Sequence, residues 1–557
     1  MNYLSARQRP ALIHELSTRH FDLVVIGGGI TGAGIALDAA ARGMKVALVE
    51  MNDFAAGTSS KSTKLIHGGL RYLKQFEIAL VREVGRERAI VHRLAPHLVS
   101  AEKMLLPLTE GGTYGALATS MGLLVYDWLA NVKGNDRRKM LSRNATLQEE
   151  PLLRRDKLKG GGIYAEYRTD DARLTMEIIK TAAQYGALSI NYVKAAAFLY
   201  DENQRIKGVQ CQDLLGGETF AVQAAYVVSA AGPWVDELRA KDNSLNGKHL
   251  FHSKGVHLVV PHERLPLRHS VYFDVPDGRM MFAIPRHRTT YIGTTDTPYH
   301  GDLNQVLSTR EDAEYILDAV NHMFPEARLT LNDVESSWAG LRPLIHEEGK
   351  SASEMSRKDE LFESESGLIS IAGGKLTGYR KMAEKVVNLI ARKFKQQAKD
   401  FAPCQTNEIP LSGGPFQNEQ AVQAYRGSIA QRIASMGLEA YYADYLIANY
   451  GRQTETILDQ YYPRQDTPEI ALLRAELQFA LANEMVCTAL DFFNRRTGRL
   501  YFHIGSIEPA LEIILQDMQA DAQWSAQRVA QERDDVLQAI REVSTFASEK
   551  ATQTNRF

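Results

Sequence analysis

Four residues that could carry chemistry stand beside glycine-rich turns, and three of them are cations. His67 and Arg71 occur in HGGLRY, Arg342 in AGLRPL and Lys375 in GGKLTGYR. Arginine presents a planar fork that matches phosphate oxygens, and lysine adds a compact charge. A single arginine usually lies on a solvated surface, so the interpretation depends on all four residues standing beside glycine-rich turns. Together they predict a phosphorylated or otherwise anionic substrate.

His67 is the natural candidate for a general base, because a histidine with an ordinary pKa of about 6.5 can accept a proton near neutral pH. A histidine before two glycines can equally be a turn residue that bonds its own backbone. Asp296, which ends IGTTD, could orient such a base or a cationic partner, and Thr377 could bond a ligand or a cofactor. We find no Ser-His-Asp order, no phosphate loop ending in GK[ST] and no metal-ligand spacing, so no metal is expected.

The element that must position these residues is the segment 21–50, FDLVVIGGGITGAGIALDAAARGMKVALVE. Its apolar run 23–26 predicts a parallel strand buried on both faces. The G-x-G-x-x-G spacing follows at once. Gly27 suits the tight turn, Gly29 the close approach of a diphosphate, and Gly32 the close packing of helix on strand.

The remainder of this segment completes a dinucleotide site. The alanine-rich stretch 31–42 predicts a helix whose N-terminal N–H groups and dipole face the diphosphate. A second strand, 45–49, ends at Glu50, whose carboxylate can accept hydrogen bonds from both ribose hydroxyls and would repel a 2′-phosphate. A purely structural glycine turn is the alternative, but strand, helix, second strand and acid all stand at the required spacing. The segment therefore predicts FAD or NAD.

Two further stretches are candidates to contact the same cofactor. Residues 53–76 are dense in hydroxyl groups, glycine and positive charge, with interleaved apolar residues that favour an ordered backbone. Its hydroxyls and N–H groups could reach a diphosphate and a ring system. A buried-strand pattern at 225–230 runs into AAGPWV, which makes Gly232 and Trp234 candidate contacts with a flat cofactor. A structural turn explains AAGPWV equally well.

Changes in sequence pattern divide the 557-residue chain into several domains. Between residues 252 and 296, short alternating apolar runs broken by Pro and Gly predict an antiparallel sheet in a second domain. The strand 368–371 opens into a glycine turn and a helix, which repeats the anion-binding geometry of the opening segment. A Pro- and Gly-rich linker follows residue 400, and the pattern is then helical almost to the end.

One stretch of the helical C-terminal part combines charge with aromatic residues. Arg495 and Arg496 stand in DFFNRRTGRLYF, residues 491–502. The stretch could be a docking surface or a capped helix end, and we favour the capped helix end.

Composition excludes several classes of protein. A net charge of −2 gives no reason to expect nucleic acid as a partner. Three cysteines without a CxxC pair indicate neither a disulfide framework nor a zinc site and fit a reducing compartment. The N-terminal residues 1–20 predict a short helical arm rather than a signal peptide. No run approaches the roughly 18 apolar residues of a spanning helix, which leaves peripheral membrane attachment open.

The motifs, taken in order, resemble those of a known family. GGGITGAGIALDAAARG, TSSKSTKLIHGGLRYLKQFE, DDARLT, AAGPWVD, GTTDT, WAGLRPL and AGGKLTGYRKMAE are similar to the FAD-dependent glycerol-3-phosphate dehydrogenases of the aerobic bacterial type. The resemblance covers nearly the whole chain from about residue 21. It implies FAD as the cofactor and a homodimer as the assembly.

The resemblance also implies the fold class, which is α/β. It comprises a Rossmann-like FAD-binding domain, an antiparallel-sheet substrate domain and an all-helical C-terminal domain. The expected boundaries are an arm at 1–20, FAD-binding segments at 21–90, 163–250 and 340–400, substrate-binding segments at 91–162 and 251–339, and a helical cap at 405–557.

Site residues follow from the same motifs. His67 and Arg342 are expected to be catalytic. The residues expected to bind the substrate are Arg71, Tyr72, Asp296, Arg342 and Lys375. The residues expected to contact FAD are Gly27, Gly29, Ile30, Thr31, Gly32, Glu50, Met51, Thr58, Ser59, Lys61, Ser62, Lys64, Leu65, His67, Gly69, Leu70, Val193, Ala231, Gly232, Trp234, Gly340, Gly374, Lys375, Leu376 and Thr377.

The implied reaction is oxidation of sn-glycerol 3-phosphate to dihydroxyacetone phosphate, with hydride passing from C2 to flavin N5. The dehydrogenases pass electrons to quinone at the inner face of the membrane, whereas the related glycerophosphate oxidases use oxygen and release hydrogen peroxide. The oxidases typically carry an additional segment after the Arg342 motif, and the short stretch here favours the dehydrogenase. An amine or amino acid oxidase and a flavin-bearing scaffold without turnover are the other hypotheses.

Overall fold

The computed structural model describes residues 4–66, 78–112, 138–346, 359–463 and 466–546. The sequence also predicts a helix around residues 117–129, and this segment lies outside the described residues. So do five expected site residues: His67, Gly69, Leu70, Arg71 and Tyr72.

The described strands and helices have the following bounds. The strands are β1 (His20–Ile26), β2 (Val46–Val49), β3 (Leu65–Ile66), β4 (Ser100–Thr109), β5 (Lys139–Ser142), β6 (Leu158–Arg168), β7 (Leu188–Ile190), β8 (Val193–Tyr200), β9 (Ile206–Asp213), β10 (Thr219–Ser229), β11 (Leu250–Pro261), β12 (Ser270–Asp274), β13 (Met280–Arg286), β14 (Thr289–Gly293), β15 (Thr297–Pro298), β16 (Ser336–Ile345), β17 (Asp359–Glu363) and β18 (Ile369–Gly373). The helices are α1 (Arg9–Thr18), α2 (Ile30–Ala41), α3 (Ile78–Leu94), α4 (Arg143–Glu149), α5 (Asp171–Gln184), α6 (Val235–Lys241), α7 (Arg310–Met323), α8 (Tyr379–Gln396), α9 (Glu419–Ser435), α10 (Tyr441–Tyr450), α11 (Thr454–Asp459), α12 (Pro468–Asn483), α13 (Ala489–Asp491), α14 (Arg499–Phe502), α15 (Ile507–Ala522) and α16 (Ala526–Ser544).

The first sheet carries the expected dinucleotide unit. Its main path runs β17-β18-β10-β1-β2-β7. Strands β18, β10, β1, β2 and β7 run parallel to one another, whereas β17 and β9 pair antiparallel with β18 and β10. Helix α2 packs against both α5 and α8. The apolar run of β1 is fully buried, as expected for a parallel strand covered on both faces. Parallel strands share one carboxyl edge, so the loops after β1, β2, β10 and β18 meet there.

The second sheet confirms the antiparallel prediction and extends it. Its main path is β15-β11-β14-β13-β12-β4-β6-β3, with β16 paired to β11 and β5 paired to β6. Strands β4 and β6, which pair over ten residues of β4, lie in a region whose sequence shows little pattern. The expected boundaries 162/163 and 339/340 fall inside β6 and β16. Each of these strands belongs as a whole to the second sheet.

The C-terminal part is helical from α9 to α16, in agreement with the sequence. One apolar core lies among α9 to α12. A second core joins α12, α15 and α16 to the antiparallel sheet through Trp338 and Tyr291. Among the described residues, no helix is both long enough and apolar enough to span a membrane.

Candidate functional site

A cleft opens along the carboxyl edge of the parallel sheet. About 1300 Å³ of space lies within the cleft and its mouth, part of it open solvent. Its walls come from the loops after β1, β2, β10 and β18, together with parts of β8, α6 and β16. In open α/β sheets, ligands bind in the crevice at this edge.

The glycines at the start of the cleft form a cradle that side chains would fill. A Cβ on Gly27 would lie 2.5 Å from the carbonyl oxygen of Ala230, and Gly27 has φ +114°. A Cβ on Gly32 would lie 1.9 Å from the carbonyl oxygen of Gly27. At Gly29 a Cβ would approach Ser59 Oγ at 3.0 Å, and Ser59 Oγ accepts a bond from Ile30 N at 2.9 Å. The backbone and Ser59 can therefore approach a diphosphate at the N-terminus of α2.

Glu50 lies on the same cleft and is fixed by two backbone donors. Its Oε2 accepts a hydrogen bond from Gly28 N at 2.6 Å, and its Oε1 accepts one from Asn52 N at 2.8 Å. Burial raises the pKa of Glu50, although these two N–H groups act in the opposite direction. Each carboxylate oxygen keeps a further lone pair, which suits the hydroxyls of an adenosine ribose.

Most residues expected to contact the cofactor line this cleft. They are Gly27, Gly29, Ile30, Thr31, Glu50, Met51, Thr58, Ser59, Ser62, Val193, Ala231, Gly232, Trp234, Gly374, Lys375 and Leu376. Gly27 and Glu50 lie toward one end of the cleft, after β1 and β2. Lys375 and Leu376 lie toward the other end, after β18. The adenosine end and the ring end of an extended dinucleotide can both be accommodated.

Several expected cofactor residues lie behind the cleft wall. Gly340 packs on the backbone of Lys61, because a Cβ there would lie 2.4 Å from the Lys61 carbonyl oxygen. Lys61 itself lines a second cavity that adjoins the cleft, and burial and then Arg495 lower the pKa of its ammonium to about 8. Leu65 and Thr377 are buried.

Lys64 fixes the loop that follows Ser59. Its Nζ donates to Asp171 Oδ1 at 2.5 Å and to the carbonyl oxygen of Ser60 at 3.1 Å. Asp171 Oδ2 also accepts from Ser62 N at 2.9 Å. Burial lowers the pKa of Lys64, but Asp170 and Asp171 outweigh this and the net pKa is raised. The acidic start of the DDARLT motif thus holds the loop 60–64 on the side away from the cleft.

Arg342 lies in a polar cluster on the antiparallel sheet. Its Nη1 lies 3.2 Å from the carbonyl oxygen of Thr295 and 3.3 Å from Asp296 Oδ1, and its Nη2 donates to Thr294 Oγ1 at 3.0 Å. Ser253 also donates to Asp296. The next residue along β16, Pro343, lines the cleft. The structure thus brings Arg342 and Asp296 together and places Lys375 on the cleft itself.

The sequence reasoning missed some residues at the site. His257 is buried, stacks on Trp338 with 4.8 Å between ring centroids, and its Nε2 lies 3.0 Å from Thr63 Oγ1. Burial, and then the nearby Arg342 and Lys64, hold the pKa of His257 well below its usual range. No turn motif marked it, since it lies within an apolar strand.

Other missed residues line the cleft. They are Ile26, Asn52, Ala56, Gly57, Lys194, Ala195, Ala230, Pro233, Glu237, Leu238, Lys241, Pro343 and Gly373. Asn52 and Lys194 adjoin expected residues, so adjacency could have indicated them. The residues of α6 could be predicted only from knowledge of how that helix packs against the sheet.

Comparison with known proteins agrees with this geometry. The profile described as FAD dependent oxidoreductase matches residues 22–380, and that described as the C-terminal domain of alpha-glycerophosphate oxidase matches residues 404–529. The aerobic glycerol-3-phosphate dehydrogenase of Bacillus subtilis is 51% identical over 95% of this chain and 96% of its own.

Solved structures are also similar. The glycerol-3-phosphate dehydrogenase from Bacillus halodurans, complexed with FAD, has a TM-score of 0.83 and 45% identity over 97% of this chain and 99% of its own. Glycine oxidase from Geobacillus kaustophilus shares the fold, with a TM-score of 0.52 and 21% identity over 72% of this chain and 100% of its own.

The cleft and the matching profile define an FAD-dependent oxidoreductase, and the expectation of FAD as cofactor is confirmed. The glycine cradle, Ser59 and the Glu50 carboxylate fit the diphosphate and ribose of that cofactor. A relative that is about half identical over nearly the whole of both chains identifies the family more narrowly than the profile does. The chain belongs to the family of aerobic glycerol-3-phosphate dehydrogenases.

Proposed function

We propose that the protein oxidises sn-glycerol 3-phosphate to dihydroxyacetone phosphate and passes the electrons to a quinone. The observation that carries this proposal is the position of two cations. Lys375 lines the cofactor cleft, and Arg342 directly precedes Pro343, which also lines it. Two cations near one end of a flavin cleft suit a phosphate ester better than a zwitterionic amino acid. The names of the relatives support the same substrate.

FAD, when bound, supplies the acceptor for the hydride that leaves C2 of the substrate. We assign Arg342 and Lys375 to the phosphate end of the substrate, and Arg71 and Tyr72 to the lining of the active site. Held there, the substrate would keep C2 in one place, which lowers the entropic part of the barrier. Asp296 would orient the Arg342 guanidinium through the contact at 3.3 Å.

We assign proton acceptance from the C2 hydroxyl to His67. Arg342 is the alternative group at this hydroxyl, where its charge would stabilise the oxygen as the proton leaves. The two roles differ in what they predict for an Arg342 variant: loss of phosphate binding raises KM, whereas loss of stabilisation at the hydroxyl lowers kcat.

An anaerobic stopped-flow experiment tests the reaction. Addition of glycerol 3-phosphate to the FAD-loaded protein should bleach the flavin absorbance near 450 nm, and one equivalent of dihydroxyacetone phosphate should form. Bleaching by glycine or another amino acid, with none by glycerol 3-phosphate, would contradict the proposal. An Arg342→Ala variant should lose most of its turnover, whereas a scaffold would keep its binding of partners.

The electron acceptor is tested in the same apparatus. The proposal expects a soluble quinone analogue to reoxidise the bleached protein much faster than oxygen does. A glycerophosphate oxidase is the second candidate, favoured by the description of the profile that matches residues 404–529. Rapid reoxidation by oxygen with stoichiometric hydrogen peroxide would establish that alternative instead.

Delivery of electrons to a lipid-soluble quinone requires access to the membrane. We therefore propose a cytoplasmic protein attached peripherally to the inner face of the cell membrane, and a homodimer as its assembly. Flotation with vesicles that contain anionic lipid, and sedimentation equilibrium, test these two points.

A further inference from the structure

We propose that Arg495 and Arg496 of the helical C-terminal domain are positioning residues for FAD. They hold Asp53 and thereby fix the loop 50–57, which forms one wall of the cofactor cleft. This inference depends on FAD as the cofactor and is independent of the substrate.

The contact between the two domains is a closed set of charge-assisted hydrogen bonds. Arg496 donates from Nη1 to Asp53 Oδ2 at 2.7 Å and from Nη2 to Asp53 Oδ1 at 2.8 Å. Arg495 Nε donates to the same Oδ2 at 2.5 Å. Asn191 Nδ2 completes the shell of Asp53 at 2.9 Å. Bidentate arginine–carboxylate pairs of this kind fix both distance and orientation.

The contact is also largely buried. The Asp53 side chain is 0% exposed, and the Arg496 and Arg495 side chains are 1% and 11% exposed. Although burial acts to raise it, the pKa of Asp53 is held at about 2 by Arg496 and Arg495. Removing one member of such a buried pair leaves an uncompensated charge, which the surrounding chain must move to solvate.

Movement at Asp53 would be transmitted to the cofactor site over a few residues. The preceding residue, Asn52, donates its N–H to Glu50 Oε1 at 2.8 Å. Two residues after Asp53, Ala55 N donates to the carbonyl oxygen of Gly28 at 3.0 Å. The loop thus ties the ribose acceptor to the glycine turn, and Asp53 is the point at which the C-terminal domain holds it.

The other bonds of the two arginines anchor the contact within the C-terminal domain. Arg496 Nη2 donates to the carbonyl oxygen of Glu484 at 2.8 Å. Arg495 Nη2 donates to Asp491 Oδ1 at 3.0 Å, and Asp491 also accepts from Tyr192 Oη at 2.5 Å. Thr488 and Asp491 form a capping box at the start of α13. The arginines therefore extend from a fixed helix end.

The C-terminal domain is an addition to a fold that exists without it. The complete chain of the glycine oxidase covers 72% of this chain, and the FAD profile ends at residue 380. The profile of the FAD fold thus ends before the C-terminal domain begins. Its contact with Asp53 gives it a defined effect on the cofactor.

Affinity for FAD in the full-length apoprotein tests the inference. The Kd is measured from the quenching of FAD fluorescence on reconstitution, without substrate. Arg496→Gln should raise the Kd at least about tenfold, because the buried Asp53 carboxylate loses its bidentate partner. The double variant Asp53→Asn with Arg496→Gln should recover most of that loss, since it removes the uncompensated charge.

Arg474→Gln is the matched control. Arg474 pairs with Asp466 and Asp517 inside the C-terminal domain, at 2.9 and 2.8 Å, and contacts no part of the loop. It should leave the Kd for FAD within about twofold of the wild type. If Arg496→Gln gives no folded apoprotein, Arg495→Gln supplies the same comparison.

The inference is overturned if the arginine variants bind FAD as tightly as Arg474→Gln does. It is also overturned if Asp53→Asn fails to restore affinity in the Arg496→Gln background. A purely structural role would lower the melting temperature of the apoprotein without changing the Kd. Because no substrate is present, failure here leaves the proposed reaction untouched.

Discussion

Replacing Arg342 by glutamine should lower kcat/KM for glycerol 3-phosphate by a factor of about 10² to 10⁴. The guanidinium is oriented by Thr294, Thr295 and Asp296 at 3.0 to 3.3 Å, and the Arg342 side chain is 20% exposed. A hydrogen bond to a charged group contributes roughly 1.5–3 kcal/mol, so two bonds to phosphate contribute about 3–6 kcal/mol. Each 1.4 kcal/mol is a factor of ten, which gives the predicted range.

Two further variants separate charge from geometry. Arg342→Lys keeps a positive charge but loses the planar fork, and it should fall between wild type and Arg342→Gln. Arg288→Gln is the matched control, because Arg288 lies in the turn between β13 and β14 of the same sheet, with its side chain 42% exposed and 3.9 Å from Glu335. Its kcat/KM should stay within about twofold of wild type.

Steady-state rates with a soluble quinone analogue provide the measurement, with glycerol as a second substrate. If Arg342 binds phosphate, the wild-type preference for glycerol 3-phosphate over glycerol should collapse in Arg342→Gln, mainly through KM. If Arg342 acts at the C2 hydroxyl, kcat should fall for both substrates. Unchanged kinetics for both substrates, with FAD fully bound, would refute any role for Arg342 in the reaction.

Three further predictions concern the cofactor site. Glu50→Gln should raise the Kd for FAD by about 10- to 100-fold, as expected for loss of a charge-assisted bond of roughly 1.5–3 kcal/mol; an unchanged Kd on reconstitution would contradict the ribose assignment. Lys64→Met should lower the urea midpoint strongly, because breaking a buried ion pair costs about 3–5 kcal/mol. Lys248→Met, which removes an exposed pair with Glu360, should change the urea midpoint little. Equal effects of the two variants would argue against a stabilising role for the Lys64–Asp171 pair. Asp53 has its pKa lowered from 3.8 to about 2 by its arginine partners, after burial has acted the other way, so its stabilisation is present above about pH 4 and is lost as pH falls through about 2. The melting temperature of the wild type should therefore fall more steeply over this window than that of Asp53→Asn, and parallel curves would contradict the assignment.

The dinucleotide unit was predictable because its determinants are local. Glycine spacing, the apolar run of β1 and the acid after β2 all lie within residues 21–50, and each constrains backbone geometry at its own position. The helix expected at 31–42 is α2 (Ile30–Ala41), and the strand expected at 45–49 is β2 (Val46–Val49). Differences of one residue at such ends are ordinary fraying.

The antiparallel sheet was only partly predictable, because its pairings join residues far apart in sequence. Strand β4 carries polar residues and β6 carries glycines, and these hide the alternating pattern. Gly160 nevertheless has a structural reason, because it lies where β5 pairs with β6. A Cβ on Gly160 would lie 2.6 Å from the carbonyl oxygen of Leu141. The domain boundaries expected from the sequence consequently fell within strands.

The contacts of DFFNRRTGRLYF were not predictable for the same reason. Both alternatives, a capped helix end and a docking surface, have support. Asp491 takes part in a capping box, and Arg495 and Arg496 reach a residue more than 440 positions away. Nothing local to the stretch identifies Asp53 as the partner.

The order of strands in the parallel sheet gives the cleft a direction. Glu50 follows β2 and Lys375 follows β18, with β1 and β10 between these two strands. Three strand spacings of about 4.8 Å separate the two ends by roughly 14 Å. A carboxylate at one end and a cation at the other favour a single orientation of FAD, with the ribose on Glu50 and the ring toward Lys375. In the orientation that we propose, the ring end of the cleft would carry the charge of Lys375, which suits a phosphate ester.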